Sequence, residues 1–204
     1  SEVENRSVFS LFEDATGAVW AGTSGGLFVK TEDTTGFVRV TETPDTEITI
    51  GDEPISETAA PPKPQSDSES SNSQSALRNP QSKESVRAVT SFRGQIYAAY
   101  FGRGIERIDG DKHALISLRL NESAAQRAIC LAAEANQALW LGTSDGELWR
   151  YDGSGMRQVE TPLKQLTGQS EKAIRAIVFD GKKLWLATSQ GVLVREGDAF
   201  REVR

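Results

Sequence analysis

One motif recurs four times along the chain, and this repetition limits the fold more than any other feature. Each copy has an apolar run centred on an aromatic residue, a short turn, a glycine and a second apolar run. The copies cover residues 18–30, 95–107, 138–153 and 183–195. The later copies lie about 40–45 residues apart, and a fixed period of that size indicates a repeat architecture.

Each copy is predicted to form β-strands. Short runs rich in Val, Ile, Leu, Trp and Tyr alternate with turn-forming Gly, Asn, Asp and Ser. Another short apolar run precedes each copy and a fourth follows it, as RAICLA, ALWLGT, ELWRYD and MRQVE in the third unit. Each unit thus holds four antiparallel strands, which is the blade of a β-propeller. We therefore expect an all-β chain, a β-propeller or propeller segment of four blades. Trp20, Trp140 and Trp185 are expected to fill equivalent core positions between blades. A positive φ is expected at the glycine of three tight hairpins: Gly26, Gly146 and Gly191.

The charge of the chain is concentrated in one segment between the first two blades. Residues 41–85 contain nine acidic and three basic residues, so the net charge of −6 arises there and the remainder is neutral. The segment also holds six of the seven prolines and no aromatic residue. Such a composition buries too little apolar surface to offset the entropy lost on ordering. We predict blade 1 over 1–40, a flexible, disordered acidic insertion over 41–85, and blades 2–4 over 86–204.

Composition argues against several function classes. A neutral folded body argues against a nucleic-acid partner, because phosphate binding needs a basic field. The single Cys130 excludes an intrachain disulfide and a cysteine-based zinc site. No apolar run is long enough to span a membrane directly. The only imidazole, His113, is expected in a solvated turn with no nucleophile motif beside it. We predict no catalytic residue, no metal and no cofactor.

A basic residue stands before alanine on the predicted first strand of three blades, as Arg87, Arg127 and Arg175, while the first blade has Phe9. The first strand of a propeller blade lines the central channel. These arginines are therefore candidates for gripping a carboxylate or an anionic sugar. The alternative is that each arginine pairs with a carboxylate of a neighbouring blade and locks the two blades together.

The loops after the second strands form another set of candidates, because such loops gather at the channel mouth. In the second blade, Tyr100, Phe101 and Arg103 replace the small polar residues of the other loops. Aromatic rings beside an arginine suit sugar stacking or a protein hot spot, and packing between sheets is the alternative. The corresponding loops of the third and fourth blades add four candidates: Ser144, Asp145, Ser189 and Gln190.

The stretches LFEDATGAVWAGTSGGLF (11–28) and RAICLAAEANQALWLGTSDGELWRYDG (127–153) resemble the two-component regulator propeller repeat. The second copy departs from that repeat with Tyr97 in place of Trp, and the fourth has Ala187 in place of Gly. Repeats of this family form large propellers in the extracytoplasmic part of bacterial sensor kinases, where they recognise ligands such as glycans. The resemblance implies a periplasmic or extracellular location, with the cytoplasm as the alternative.

Four blades are few for this family, whose propellers tend to be large. We therefore expect a piece of a longer propeller, or a part that another polypeptide completes or caps. The predicted function is a non-enzymatic interaction module of a bacterial sensor or multi-subunit assembly, contacting a partner protein or ligand at the channel mouth. A glycan- or small-molecule-sensing domain of a two-component regulator is the alternative, and a propeller-based lyase or hydrolase is a second.

The acidic insertion leads to a testable expectation about proteolysis. Residues from about 45 to 81 should be cleaved first, while the blades resist, because exposed polar segments are the preferred sites of nicking. Limited proteolysis followed by mass spectrometry of the fragments measures the order of cleavage. First cuts inside the blades would contradict the predicted domain boundaries.

Overall fold

A computed structural model describes residues 6–40, 85–109, 112–116, 127–165 and 171–203. The predicted insertion lies outside the described residues except for Ser85. Its disorder therefore stays a prediction. The described residues form sixteen β-strands in four antiparallel sheets of four strands each. This confirms the expected all-β class and the four blades.

The strands follow one another in every sheet in chain order. Blade 1 consists of β1 (Val8–Glu13), β2 (Val19–Thr23), β3 (Gly26–Lys30) and β4 (Val38–Arg39). Blade 2 consists of β5 (Val86–Phe92), β6 (Gln95–Tyr100), β7 (Gly104–Asp109) and β8 (Lys112–Ile116). Blade 3 consists of β9 (Ala128–Glu134), β10 (Ala138–Thr143), β11 (Leu148–Tyr151) and β12 (Met156–Val159). Blade 4 consists of β13 (Ile174–Phe179), β14 (Leu184–Thr188), β15 (Gly191–Glu196) and β16 (Ala199–Val203). A single turn of 3₁₀ helix, Pro162–Gln165, follows blade 3.

Consecutive blades pack face to face along their first strands. β1 contacts β5, β5 contacts β9, and β9 contacts β13. A separate apolar cluster fills each of these three interfaces. Leu27 and Val86 belong to the cluster between blades 1 and 2, Tyr97 and Leu139 to the next, and Trp140 with its neighbours to the last. Within the described ranges, the strands of blade 4 form no packed interface with those of blade 1, so the described blades form an open arc.

Trp20, Trp140 and Trp185 occupy one repeated hydrogen-bonded position on the second strand, whereas Trp149 lies on a third strand. The indole N–H of Trp20 donates to the Asp14 carboxylate at 2.7 Å, and that of Trp185 donates to the Asp180 carboxylate at 2.8 Å. Burial alone would raise the pKa of the Asp14 carboxyl, but hydrogen bonds from Thr16, Trp20 and Ala18 outweigh it and lower that pKa. The Trp185 indole, with the backbone N–H groups of the same turn, likewise lowers the pKa of Asp180.

Glu134 replaces that aspartate in blade 3. Its carboxylate accepts from the Trp140 indole at 2.9 Å, so the longer side chain restores a contact that the missing aspartate of this repeat would have made. The burial of the three tryptophans differs. Trp140 is 1% exposed, whereas Trp20 and Trp185 are half-buried. The prediction of equivalent positions is confirmed, but the prediction that each lies in the core between blades is wrong for Trp185, which lies on a face of blade 4 that no other blade covers among the described residues.

The glycine two positions after the tryptophan is required in blades 1 and 3 because the next blade approaches it closely. A methyl group on Gly22 would lie 2.8 Å from the Val86 carbonyl oxygen, and one on Gly142 would lie 2.7 Å from Ile174 Cγ2. Such distances require the neighbouring strand to shift. The second blade carries alanine at this position and meets the smaller Ala128 in the same apolar cluster. In blade 4 the corresponding Ala187 is exposed, so no neighbouring strand constrains its size.

Two further expectations meet the structure directly. Gly26, Gly146 and Gly191 have φ values of 118°, 86° and 120°, which confirms the predicted hairpin turns. His113 was expected in a turn, but it lies within β8. That expectation is wrong because the strand begins one residue earlier, at Lys112.

Replacement of Trp140 by alanine should lower the free energy of unfolding by about 3–5 kcal/mol, because it opens a cavity between blades 3 and 4. The same replacement of Trp185 should cost clearly less, since that ring is only half-buried. Urea denaturation followed by circular dichroism measures both values. Equal losses for the two variants would contradict the described burial.

Candidate functional site

One face of the arc brings together the start of each first strand and the loop after each second strand. A backbone hydrogen bond joins them in every blade. Ser24 N–H donates to the Ser7 carbonyl at 2.9 Å, and Phe101 N–H donates to the Ser85 carbonyl at 2.8 Å. The same bond runs in the later blades from Ser144 to Arg127 and from Ser189 to Ala173. We call this surface the loop face. The loop and arginine candidates predicted from the sequence lie on it or at its edge, except for Tyr100, which is buried.

A threonine hydroxyl closes three of the four loops. Thr23 Oγ1 donates to the Gly26 carbonyl at 2.9 Å, and Thr188 Oγ1 donates to the Gly191 carbonyl at 2.8 Å. In blade 3, Thr143 Oγ1 lies 2.6 Å from Asp145 Oδ1 and accepts from Glu147 N–H at 2.8 Å. The threonine of each Gly-Thr or Ala-Thr pair is therefore a capping residue of the hairpin. Its role is structural.

Every first strand carries a β-bulge at the same place, near its beginning. The pairing with the second strand skips one residue in each blade: Phe9, Arg87, Ile129 and Arg175. A bulge leaves one residue unpaired and re-aims its side chain. Arg87 and Arg175 are thus equivalent. Arg127 is not, because it lies two residues before the bulge and precedes β9, so its predicted place on the first strand is wrong.

Arg127 and Asp145 form an ion pair of 2.8 Å between the start of blade 3 and its own loop. Ser144 is the loop residue whose N–H donates to the Arg127 carbonyl. Both charged side chains are about one-third exposed, so the pair is worth little in stability. It fixes the loop of blade 3 within that blade. The predicted alternative, a lock between neighbouring blades, is not what this contact provides.

Arg175 also pairs within its own blade. Its Nη2 lies 2.8 Å from Glu171 Oε2, and both side chains are more than half exposed. Ser189 Oγ and Gln190 Nε2 both donate to the Glu171 carbonyl. The two polar loop residues predicted as ligand contacts therefore hold the segment that leads into β13.

Arg87 has a different environment. Its guanidinium carbon lies 4.1 Å from the ring centroid of Phe9 in blade 1 and 5.2 Å from that of Phe101. The Nε atom is enclosed and has no hydrogen-bond acceptor. Among the described residues, no carboxylate pairs with this arginine. The adjacent Ser85, which is buried, also has a hydroxyl without a hydrogen-bond partner.

The other predicted residues of the second loop are mostly structural. Tyr100 is buried in the cluster between blades 1 and 2, which decides its two alternatives in favour of packing. Arg103 lies 5.1 Å from the Tyr100 ring centroid and pairs with the buried carboxylate of Glu106. Phe101 remains partly exposed. Of this loop, Phe101 is the residue that stays available at the surface.

Sequence reasoning missed two contributors to this face. Phe9 was noted only as the residue that replaces an arginine, yet it supplies one of the rings that stack on Arg87. Glu106 was not singled out at all. An acidic residue between the two isoleucines of β7, three positions after Arg103, was the available signal for that ion pair.

Within the described ranges there is no group of three or more His, Cys, Asp and Glu side chains that could hold a metal ion. The same part of the chain contains no helix with the length and apolar character needed to cross a membrane. Burial raises the pKa of the Cys130 thiol to about 12. Its Sγ donates to the Ile174 carbonyl at 3.2 Å, so this cysteine packs between blades 3 and 4.

No protein-family model matches the chain, and no curated protein matches it in sequence. Similarity to solved structures is clear in the fold. The structure of YCF48 bound to D1 peptide has a TM-score of 0.60 and 15% identity, covering 93% of this chain and 50% of that one. The computationally designed Ika4 protein has a TM-score of 0.54 and 14% identity, covering 95% and 92%.

The extracellular domain of the putative hybrid two-component system BT4673 from B. thetaiotaomicron is also similar. Its TM-score is 0.48 at 16% identity, with all of this chain and 34% of that chain covered, which is too low to support an argument. The chain thus spans about a third to a half of the BT4673 and YCF48 structures. At identities of this size, the YCF48 and Ika4 similarities show a propeller-type fold alone. The family resemblance of the motifs stays a resemblance.

Replacement of Thr143 by valine should lower the free energy of unfolding by about 1–3 kcal/mol, because Glu147 N–H loses its acceptor at a buried site. Thr143→Ser keeps the hydroxyl and should retain most of the stability. Thermal and urea denaturation of both variants measures the difference. An unchanged valine variant would show that the hydroxyl does not hold this loop.

Proposed function

We propose that the chain is a non-enzymatic interaction module, a propeller segment that works within a bacterial sensor or a multi-subunit assembly. Its end blades are covered by further polypeptide, either more of the same chain or a partner subunit. Its loop face contacts a partner protein or ligand. The observation that carries this proposal is the unequal burial of equivalent residues in the end blades and the middle blades.

On the face that points away from blade 2, the first blade leaves apolar side chains of β1 exposed, whereas Ala21 and Phe28 of the same face are buried. Leu11 is 66% exposed, whereas Val89, which has the same place in the register of blade 2, is 6% exposed. Val8 is exposed as well, while its equivalent Val86 is buried. The difference arises because blade 2 has a neighbour on this side and blade 1 has none among the described residues.

The fourth blade leaves the opposite face uncovered. Val178 is 57% exposed, and Val192 and Val203 are also exposed. Val178 pairs with Trp185 across β13 and β14, so these side chains extend the apolar surface beside a half-buried ring. Each Å² of apolar surface removed from water is worth about 25 cal/mol. Contiguous apolar patches of this kind mark sites of association.

Arg87 and Phe101 support the proposed contact at the loop face, because their side chains take no part in the ion pairs and threonine caps that hold the other loops. A location outside the cytoplasm, in the periplasm or extracellular space, is proposed on the resemblance to the sensor-type repeat. No described residue specifically favours the glycan-sensing alternative, and none suggests how a lyase or hydrolase would work.

The expected behaviour of the isolated chain tests this proposal. At micromolar concentration, its mass in solution should exceed that of the 22.2 kDa monomer, because the apolar end faces associate. Leu11→Glu and Val178→Glu should each lower that association without loss of fold, since both positions are exposed. Analytical ultracentrifugation measures the mass.

Val38→Glu is the matched control, because Val38 is an exposed valine on the outer strand of blade 1 rather than on an end face. It should leave the association unchanged. A well-folded monomer that is insensitive to all three substitutions would reject the open arc and support closure of blade 4 onto blade 1.

A further inference from the structure

We propose that Arg87 is an anion-binding residue that takes a carboxylate of an acidic polypeptide segment. The proposal adds a ligand chemistry to the contact at the loop face and rests on that part of the proposed function. It stands on the geometry around one guanidinium, and it does not depend on what covers the end blades.

Arg87 and Arg175 occupy equivalent positions in blades 2 and 4. Both are the bulged residue of a first strand, so the backbone presents the two side chains in the same way. In blade 4 the chain supplies a carboxylate, and Glu171 lies 2.8 Å from Arg175. In blade 2 the described residues supply none. The bulge position thus holds one arginine that pairs with a carboxylate and one for which the described residues supply none.

Two aromatic rings shape the site around the Arg87 guanidinium. Phe9 and Phe101, from different blades, lie at 4.1 and 5.2 Å from the guanidinium carbon. They hold the planar group in place, because arginine stacks on aromatic faces. Its Nε is enclosed, which leaves the terminal Nη groups of this half-buried side chain as the donors that a ligand can reach. A planar carboxylate fits two parallel N–H donors at the edge of a guanidinium.

The site suits a carboxylate on a polypeptide better than one on a sugar. The ring faces of Phe9 and Phe101 that are turned into the site are occupied by the guanidinium. They do not offer a stacking platform to a sugar. An aspartate or glutamate side chain needs only the guanidinium edge. The nearby cation Arg103 is paired with Glu106. The site therefore presents one oriented positive charge, which suits a single acidic side chain.

The test uses the full chain and two kinds of probe at low salt. One probe is a hexapeptide of alternating glycine and glutamate, with a glycine–glutamine hexapeptide as its neutral counterpart. The other is a trimer of galacturonate, which carries the same carboxylate on a sugar. Isothermal titration calorimetry measures the dissociation constants. We expect the glutamate peptide to bind at least about tenfold more tightly than the neutral peptide, and more tightly than the sugar acid.

Four variants assign the binding to this site. Arg87→Gln should weaken glutamate-peptide binding about tenfold or more. Arg87→Lys should weaken it several-fold, because lysine keeps the charge but lacks the planar fork. Phe101→Leu should also weaken it, since the charge stays but one ring of the stack is lost. The matched control is Arg175→Gln, which removes the equivalent arginine of blade 4 and should change the affinity by less than about twofold.

Three results would overturn the proposal. One is unchanged affinity in Arg87→Gln with its melting temperature preserved, and another is an equal loss in Arg175→Gln. The third is a preference for galacturonate over the glutamate peptide, which would assign the site to acidic sugars instead. The variants are also compared by mass in solution, where Arg87→Gln should match the wild type. Failure of this inference is thereby separated from failure of the end-face proposal.

Discussion

The close packing of one blade's second strand on the first strand of the next is the contact on which the rest of the structure depends. At Gly22 and Gly142 the neighbouring strand approaches so closely that a methyl group would meet Val86 or Ile174 below normal contact distance. This approach brings the first strands together and lets the outer strands diverge. It also aligns the loops after the second strands on one surface. The loop face is a consequence of how the blades pack.

The sequence predicted the features that follow from local chemistry. Strand order, hairpin glycines and the repeated tryptophan position could all be inferred, because each depends on a few neighbouring residues. It did not predict that Glu134 would replace the aspartate that bonds to the tryptophan, because Glu134 holds the register position of Asp14 and Asp180 with a side chain one carbon longer, and the sequence alone does not show that it reaches the indole. It also did not predict Phe9 as a stacking partner, since that contact joins two blades separated by the long insertion.

The register of the candidate arginines failed for a specific physical reason. Matching the short Arg-Ala pattern placed Arg127 beside Arg87 and Arg175, but the strand pairing aligns Ile129 with them, because the Arg-Ala pair of blade 3 comes two residues earlier than in the other blades. Loop length has a similar effect on the third strand. In blades 2 and 3 the residue ten positions after the aromatic is Arg107 or Arg150, and it pairs directly with that aromatic across the strands. With the shorter loops of blades 1 and 4, Lys30 and Arg195 pair one residue earlier on the second strand, and so lie on the opposite face.

The repeat also explains why function is sought at its irregular positions. Where a residue recurs in several blades, such as the capping threonine or the close-packed glycine, blade geometry accounts for it and no ligand is needed. The second blade departs from the pattern at several places at once. Tyr100 replaces the threonine, Phe101 replaces a serine, and Arg103 pairs with Glu106. These substitutions hold the loop without a threonine cap, and they leave Phe101 beside Arg87. A loop that keeps its shape by a different set of contacts is free to present a side chain that the regular loops lack.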